Sequence, residues 1–494
     1  MIPGESSTMD TPTDHPPAAR AQEPRAGVVR QTFEFLILLN ITILVLRTFA
    51  AEAYIVPTGS MAPTLLGNHK EVACPNCGIR FALGLDEEGR AGRPVCGNCG
   101  QADFDGEAAV ECQGDRLLVQ KGLYDSRRPN RWEVAVFRFP GEPSQAYVKR
   151  VVGLPGESIQ VRGGDVYIDG RIARKSLREQ RAMRIPVFDN NFLPRDVDRN
   201  PRWAARRGGA ARHLASGWRA RGTSFVRESE VPDTSAEPTD WLVYRHWDPD
   251  RGRSEPVRDF NVYNGGDLPG ESPVADLLLE ARIAVAADVR AVRIRLRSGD
   301  DRFVVSLPVD GRGDLEVRRN GHTLTTSGLG ATLTSSPRES PRFATLEASV
   351  IDRRLSVALD GEFAFAPIDY DDPVVGSGGR DGPVALGVRG GSMEVRDLRL
   401  FRDVHYTSAL PLMARRPFGI DAPFRLGADE FFVLGDNSPV SNDSRFWAAS
   451  PVVPGELFVG KPFLVHLPGQ VVPLQVFGRS LYWIPDPREI RYIR

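Results

Sequence analysis

A serine in a turn-rich segment and a lysine in an apolar strand are the residues whose surroundings could support covalent chemistry. Ser60 follows a glycine within residues 57–66, and such a segment can hold a hydroxyl exposed on a fixed backbone. Lys149 lies among apolar residues, and burial there would disfavour its ammonium form, so that a neutral amine could act as a general base. Each residue also has an ordinary interpretation, because Ser60 can be a plain loop serine and Lys149 an edge-strand lysine that limits aggregation.

Four cysteines form two Cys-x-x-Cys-Gly knuckles, a pattern typical of a tetrahedral zinc site. The knuckle cysteines are Cys74, Cys77, Cys96 and Cys99. Each knuckle turns tightly so that two thiolates converge, and the glycine that follows relieves strain in the turn. Because four thiolates would close the coordination shell, we predict a structural metal rather than a catalytic one. The alternatives are two disulfides, or a vestigial ribbon, in an oxidising compartment.

A second polar segment follows an apolar strand pattern near the end of the chain. Residues 431–434 have the composition of a buried strand. Residues 435–445 are then dense in side chains that donate and accept hydrogen bonds in turns. By itself this segment is either a polar loop or a cation site.

The composition indicates a mainly β protein with more than one domain. The chain of 494 residues is too long for one compact core. The net charge of −1, from 63 basic and 64 acidic side chains, does not favour a nucleic-acid binder that works through bulk charge. The 48 glycines, the 39 prolines and the mostly period-two hydrophobic patterns favour strands and turns.

The N-terminal region contains a polar tail and one apolar stretch. Residues 1–30 have little to bury, so we expect a disordered cytoplasmic tail. The apolar stretch predicts a transmembrane helix over 31–51, with a buried or interfacial helix as the alternative. Arginines precede this stretch, whereas only Arg47 follows it closely, so the positive-inside rule places the N-terminus in the cytoplasm and the rest of the chain outside.

Strand patterns then occur in blocks that are interrupted by insertions. The blocks are residues 52–73, 113–180 and 403–494, and the insertions are the cysteine segment 74–100 and residues 200–402. Within the second block, Asp169-Gly170 predicts the turn of a hairpin over Ser158–Ile172. In the second insertion apolar residues alternate with arginines, as in 292–297, between recurrent turn signals. This pattern favours a β-sandwich of the lectin or laminin-G jelly-roll type. Such a domain can bind a glycan or peptide, or it can simply pack against the rest of the chain.

Four motifs, in this order, resemble those of bacterial type I signal peptidases, also called leader peptidases. They are Thr58-Gly59-Ser60-Met61-x-Pro63-Thr64-Leu65, Gly114-Asp115-Arg116-x-x-Val119-x-Lys121, Lys149-Arg150-Val151-Val152-Gly153-x-Pro155-Gly156-Glu157, and Gly435-Asp436-Asn437 followed by Ser441-x-Asp443-Ser444-Arg445. Together, after an apolar N-terminal segment, the motifs are highly specific. The resemblance is confined to the three strand blocks and covers well under half of the chain.

The resemblance implies a serine endopeptidase with a Ser–Lys dyad. It implies that Ser60 is the nucleophile and that Lys149 is the general base, which later returns a proton to the leaving amine. It implies an oxyanion hole formed by the Thr58 side chain and the Ser60 backbone N–H, where each donor contributes about 3 kcal/mol. The supporting residues that it implies are Ser441, which would orient the lysine amine, Asp443 and Arg445, which would form an ion pair behind the site, and Met61, which would pack under the serine.

The resemblance also implies substrates and a location. The family cleaves signal peptides from exported preproteins after small residues in an Ala-x-Ala pattern, on the outer side of the cytoplasmic (inner) membrane. We therefore expect a single-pass membrane protein whose β-rich catalytic core lies outside, near the bilayer and the protein-export machinery. We expect no cofactor for catalysis, a structural zinc ion as the only metal, and no nucleic-acid partner.

Two other functions fit parts of the sequence. A self-cleaving protease like the SOS-type repressors would share the dyad, but the apolar segment and the lack of a helix-turn-helix pattern oppose it. An inactive relative could act as an extracytoplasmic glycan- or peptide-binding protein through residues 200–402, although an inactive relative would be free to lose Ser60 or Lys149. Either insertion could also restrict the choice of substrate or recruit a partner.

Overall fold

The computed structural model describes most of the chain. The described residues are 27–45, 51–102, 104–105, 109–198, 200–207, 215–228, 238–324, 330–371, 382–407, 417–448, 450–469, 474–476, 479–481 and 490–493. The chain divides into two compact units, Met1–Ala50 and Ala51–Arg494. Residues 1–26 and 46–50, which include most of the predicted tail and the end of the predicted transmembrane helix, lie outside the described residues.

The first unit contains the helix α1, Val28–Val45, which is 18 residues long. It exposes large apolar side chains, including Phe33 and Leu38. Its first turns also carry Arg30 and Glu34, which form an ion pair at 2.7 Å, so polar residues interrupt the apolar surface. Within the described ranges, no helix is both long enough and apolar enough to cross a membrane. The described part of the chain therefore does not support the predicted transmembrane helix over 31–51.

The second unit is built mainly from strands, and strands make up 47% of the structure against 9% for helices, which confirms the predicted mainly β class. Its helices are α2 (Leu123–Ser126) and α3 (Leu177–Met183). The first strands are β1 (Ala51–Ile55), β2 (His69–Ala73), β3 (Arg80–Gly84), β4 (Val110–Lys121), β5 (Val134–Phe139), β6 (Glu142–Gly153), β7 (Ser158–Arg162), β8 (Asp165–Ile168), β9 (Arg171–Ile172), β10 (Ile185–Asp189), β11 (Trp203–Arg207), β12 (Trp218–Arg221), β13 (Ser224–Arg227), β14 (Asp240–Tyr244), β15 (Trp247–Asp248) and β16 (Arg253–Ser254).

The remaining strands complete the insertion and return to the first part of the fold. They are β17 (Leu277–Val285), β18 (Val289–Ser298), β19 (Asp301–Pro308), β20 (Glu316–Arg319), β21 (His322–Leu324), β22 (Ala344–Ile351), β23 (Arg354–Leu359), β24 (Glu362–Phe363), β25 (Ile368–Asp369), β26 (Val384–Gly390), β27 (Met393–Arg402), β28 (Phe424–Arg425), β29 (Glu430–Leu434), β30 (Val453–Pro454), β31 (Phe458–Gly469), β32 (Leu474–Val476), β33 (Arg479–Leu481) and β34 (Arg491–Tyr492).

A 10-stranded sheet carries the second motif on β4 and most of the third on β6, while the first and fourth motifs follow its strands β1 and β29. Its strand order is β3-β2-β4-β31-β5-β6-β29-β30, while β1 pairs with β4 and β34 pairs with β31. Lys149 of β6 pairs with Ala135 of β5, and the next residue, Arg150, pairs with Leu434 of β29. Lys149 is only 4% exposed, so it is not an exposed edge lysine, and that alternative interpretation is wrong.

A smaller 4-stranded sheet, in the order β28-β7-β8-β9, extends the same part of the molecule. Asp169 and Gly170 connect β8 to β9, and both have positive φ angles, 48° and 79°. A tight hairpin turn requires such backbone angles, and Asp-Gly meets that requirement. The structure thus contains the hairpin turn that the sequence predicts at this position.

The large insertion forms a 9-stranded sheet and a 7-stranded sheet that share one apolar core. Leu279 and Ile283 of β17 belong to the first sheet and Val292 and Ile294 of β18 to the second, and all four are buried in this core. The first sheet also contains β10, which pairs with β27 and lies before the predicted start of the insertion at residue 200. The segment between β16 and β17 contains a short 3-10 helix, Val262–Asn264, which leads to the candidate site.

Candidate active site

Ser60 lies in a one-turn 3-10 helix, Gly59–Met61, that follows β1. The Ala62 N–H donates to the Gly59 carbonyl at 3.0 Å, which closes this turn. Met61 is fully buried in an apolar cluster that also contains Leu65. The buried methionine anchors the turn, and Ser60 is itself buried, at 7% exposed, so it lines the cleft described below and does not present the exposed hydroxyl that the sequence indicated.

Lys149 approaches Ser60 from strand β6. Its Nζ lies 2.6 Å from Ser60 Oγ, although the two residues are 89 positions apart in the sequence. Burial lowers the pKa of Lys149 to about 8, against the effect of the Asp443 and Asp436 carboxylates, which raise it. A neutral amine is therefore accessible near neutral pH, as a general base requires.

The predicted ion pair behind the site is formed. Arg445 donates to Asp443 through Nη2 at 2.8 Å and through Nε at 2.9 Å, and both side chains are fully buried. The Asp443 carboxylate also accepts the Gly435 N–H at 3.0 Å. Arg445 also donates a hydrogen bond from Nη1 to Ser438 Oγ, at 2.7 Å. These bonds fix the conformation of the segment that follows β29.

A second buried ion pair was not predicted from the sequence. Arg150 donates to Asp436 in a bidentate arrangement, at 2.7 and 2.6 Å, and also to the Trp132 carbonyl at 2.6 Å. Thr64 Oγ1 donates to the same carboxylate at 2.5 Å. Both ion-pair partners are themselves motif residues, Arg150 in the third motif and Asp436 in the fourth. Their place in the motifs was the available signal.

Two predicted site residues lie near the dyad without the predicted contacts. Ser441 is fully buried, and its hydroxyl has no hydrogen-bond partner within the part of the chain that the structure describes. Its predicted bond to the Lys149 amine is therefore not formed here. Thr58 is exposed beside Ser60 and lines the same cleft. Its role as an oxyanion donor stays a prediction.

The dyad opens into a cleft of about 1330 Å³. Its lining includes residues around β1 and β6, such as Pro57 and Tyr147. Both insertions also line it, with residues between Gly84 and Gly92 from the cysteine segment and residues between Tyr263 and Leu268 from the large insertion. The sequence analysis placed these insertions outside the catalytic blocks and did not predict that they line the cleft.

Tyr263 brings the large insertion into direct contact with the Ser60 turn. A Cβ atom added to Gly59 would lie 2.0 Å from Cε1 of the tyrosine ring, and one added to Gly84 would lie 2.2 Å from the same atom. The Tyr263 hydroxyl donates to the Asn68 carbonyl at 2.9 Å. The ring therefore occupies the space that glycine leaves between the cysteine segment and the nucleophile turn.

Parts of the chain are similar in sequence to known signal peptidases. Residues 108–210 match the signal peptidase family, peptidase S26. Signal peptidase I of Leptolyngbya laminosa is 31% identical over 177 residues, which are 34% of this chain and 64% of that protein. Signal peptidase I of Pseudomonas aeruginosa is 32% identical over 136 residues, 27% of this chain and 36% of that protein. These relatives carry the name of the family that the four motifs resemble.

The extent of these matches is partial. The chain spans 36% to 64% of the length of these two relatives. The family match includes Lys149 and Arg150 but neither Ser60 nor residues 435–445. The pairing of Ser60 with Lys149 therefore rests on the geometry described above, because Ser60 lies outside the matched residues.

Solved structures give no further assignment. The carbohydrate-binding module CBM66 from Bacillus subtilis is 12% identical, with a TM-score of 0.24 over 40% of this chain and 94% of that chain. A score this low does not establish a shared fold. The lectin or laminin-G type of the insertion therefore stays a prediction.

The four knuckle cysteines converge at one point, and the structure has all of them as buried free thiols. Their Sγ atoms lie within 4.8 Å of one another. The Cys74–Cys99 and Cys77–Cys96 Sγ pairs are both 3.6 Å apart. Four sulfurs at about 2.3 Å from a tetrahedral zinc ion would be separated by roughly 3.8 Å. The cluster therefore fits the predicted metal, and the disulfide alternative is not the state of this structure.

Proposed function

We propose that this chain is a type I signal peptidase that removes signal peptides from exported preproteins after small residues in an Ala-x-Ala pattern. The observation that carries the proposal is the 2.6 Å approach of Lys149 Nζ to Ser60 Oγ at the base of an open cleft. The peptidase S26 match over residues 108–210 supports the same assignment. The proposed substrates are preproteins, while the export machinery and a glycan or peptide ligand of residues 200–402 stay predictions.

The proposed mechanism uses only groups of this chain. Neutral Lys149 takes the proton from the Ser60 hydroxyl while Oγ attacks the scissile carbonyl carbon. The negative oxygen that forms accepts hydrogen bonds from the Ser60 N–H and from Thr58 Oγ1. The Lys149 ammonium then protonates the leaving amine as the acyl-enzyme forms. A water molecule, deprotonated by Lys149, releases the signal peptide and regenerates Ser60.

We also propose a location at the cytoplasmic membrane, with the N-terminus inside and the catalytic part outside. The support is the apolar surface of α1, where Phe35 and Leu38 are 65% and 67% exposed. Lipid contact would remove such side chains from water. The arginines of residues 1–30 support the orientation.

The cysteine cluster is proposed to hold a structural zinc ion. Its four thiolates would leave no open coordination position, so the ion would stabilise the cysteine segment and take no part in the cleavage. Asn76 and Asn98 place amide Nδ2 atoms 3.7 and 3.8 Å from Sγ of Cys99 and Cys77, where they would moderate the thiolate charge.

The proposed function is tested with the purified full chain in detergent and an exported preprotein that retains its signal peptide. We expect one cut after a small residue, identified by the masses of both fragments. A matched preprotein with bulky residues at the two small positions should remain intact. A folded sample that cuts none of several preproteins would contradict the proposal.

A further inference from the structure

The large insertion contacts the nucleophile turn through a pair of asparagines. Asn264 Nδ2 donates to Asn437 Oδ1 at 2.8 Å, and Asn437 Nδ2 donates to Asn264 Oδ1 at 2.7 Å. A second asparagine of the insertion, Asn261, donates to the same Asn437 Oδ1 at 3.2 Å and to the Ala62 carbonyl at 3.2 Å. This arrangement joins residues that are 173 positions apart.

The Asn437 carboxamide is fully used in this arrangement. It is completely buried, and its second amide hydrogen goes to the Gly59 carbonyl, with Nδ2 at 2.9 Å from that oxygen. An asparagine side chain offers two donor hydrogens and an oxygen with two acceptor sites, and here all are engaged. If the Asn437 carboxamide flipped, its oxygen would face the Gly59 carbonyl oxygen, so that carbonyl selects the orientation, and the two hydrogen bonds with Asn264 hold the carboxamide in place.

That orientation acts on the group predicted to bind the oxyanion. The Gly59 carbonyl and the Ser60 N–H belong to one planar trans peptide group, so holding the oxygen fixes the direction of the N–H. The Asn437 backbone N–H also donates to the Ser60 carbonyl at 3.0 Å. In addition, a hydrogen bond at the carbonyl polarises the peptide group and strengthens its N–H as a donor.

We infer that Asn264, acting through Asn437, is a positioning residue for the oxyanion hole, and that the insertion is part of the catalytic machinery rather than an accessory domain. The inference rests on the proposed peptidase function. It assigns to the insertion a role in the rate of the reaction, separate from any role in the choice of substrate.

The test compares wild type with Asn264→Ala, and uses Asn191→Ala as a control at a residue that lies just before the insertion and bonds to it. Asn191 also makes a side-chain hydrogen bond, at 3.2 Å to Asp397, and does not line the cleft. The readouts are kcat and KM on a preprotein, and inhibition by a peptide aldehyde, which adds to Ser60 Oγ and places its oxygen in the oxyanion hole. For Asn264→Ala we expect kcat and aldehyde affinity to fall together by about 10- to 100-fold, with KM nearly unchanged. Asn191→Ala should behave as wild type.

A second variant separates positioning from general stability. Because Asn264 acts through Asn437, the double variant Asn264→Ala/Asn437→Ala should be no slower than Asn437→Ala alone. Additive losses, or an Asn264→Ala enzyme with wild-type kcat and aldehyde affinity, would overturn the inference while leaving the peptidase intact. If wild type itself cuts no preprotein, the proposed function fails, and the inference fails with it.

Discussion

At the scale of single residues, the protonation of Lys149 should control the rate. Burial lowers its pKa to about 8, and only the neutral amine can accept the Ser60 proton. We therefore predict that kcat/KM rises about tenfold per pH unit below this value and levels off above it. Stopped assays on one preprotein between pH 6 and pH 10 would measure the profile. A rate that is flat or falls over this range would contradict Lys149 as the base.

The buried pair of Arg150 and Asp436 should matter for the stability of the fold. Removing Arg150 leaves the Asp436 carboxylate buried without its partner, because both side chains are at most 1% exposed. We predict that Arg150→Met lowers the free energy of unfolding by about 3–5 kcal/mol. Urea unfolding would measure this loss. The double variant Arg150→Met/Asp436→Leu should recover most of it, and a double variant as unstable as Arg150→Met would argue against an uncompensated charge as the cause.

At the scale of elements, the cysteine segment contains both the proposed metal site and residues that line the cleft. Its knuckles place Gly78 and Gly100 at φ angles of 76° and 80°, and the hairpin of β2 and β3 continues into the residues that line the cleft. We predict about one zinc ion per chain, and a lower melting temperature and lower activity after chelation. Metal analysis of wild type, of Cys96→Ser and of Cys112→Ser would check this. Cys112 is the control, because it is a buried cysteine outside the cluster. Only Cys96→Ser should lose the metal, and a wild type without zinc would refute the prediction.

The sequence predicted the elements that follow local rules. Alternation at residues 292–297 predicted a strand, and Asp169-Gly170 predicted a hairpin turn, because period and turn chemistry act over a few residues. The motifs also predicted that Ser60, Lys149 and Arg445 would lie near one another. What the sequence could not predict were contacts from the irregular segment between β16 and β17. Such a segment has no periodicity, so nothing in it indicates that Asn264 faces Asn437 or that Tyr263 covers Gly59.

At the scale of the whole molecule, the large insertion, residues 200–402, is in contact with the candidate active site. Residues 200–402 could have been a removable domain that sets substrate specificity, but they include Asn261 and Asn264 and contribute residues to the lining of the cleft. We therefore predict that deletion of residues 200–400 abolishes cleavage of every preprotein rather than changing the range of substrates. Rates on several preproteins, with circular dichroism to check folding, would test this. A folded deletion variant with wild-type rates would show that the catalytic part needs no support from the insertion.

The central claim for the whole molecule is that two blocks of one chain, separated by an insertion, assemble a Ser–Lys dyad that cleaves peptide bonds. The most direct measurement is the single-turnover cleavage rate of one preprotein by wild type, Ser60→Ala and Lys149→Ala, each shown to be folded by its melting temperature. The account predicts cleavage by wild type and a loss of at least about 1000-fold in each variant, because neither group works without the other. A Lys149→Ala or Ser60→Ala variant that cleaves at a rate close to wild type would contradict it.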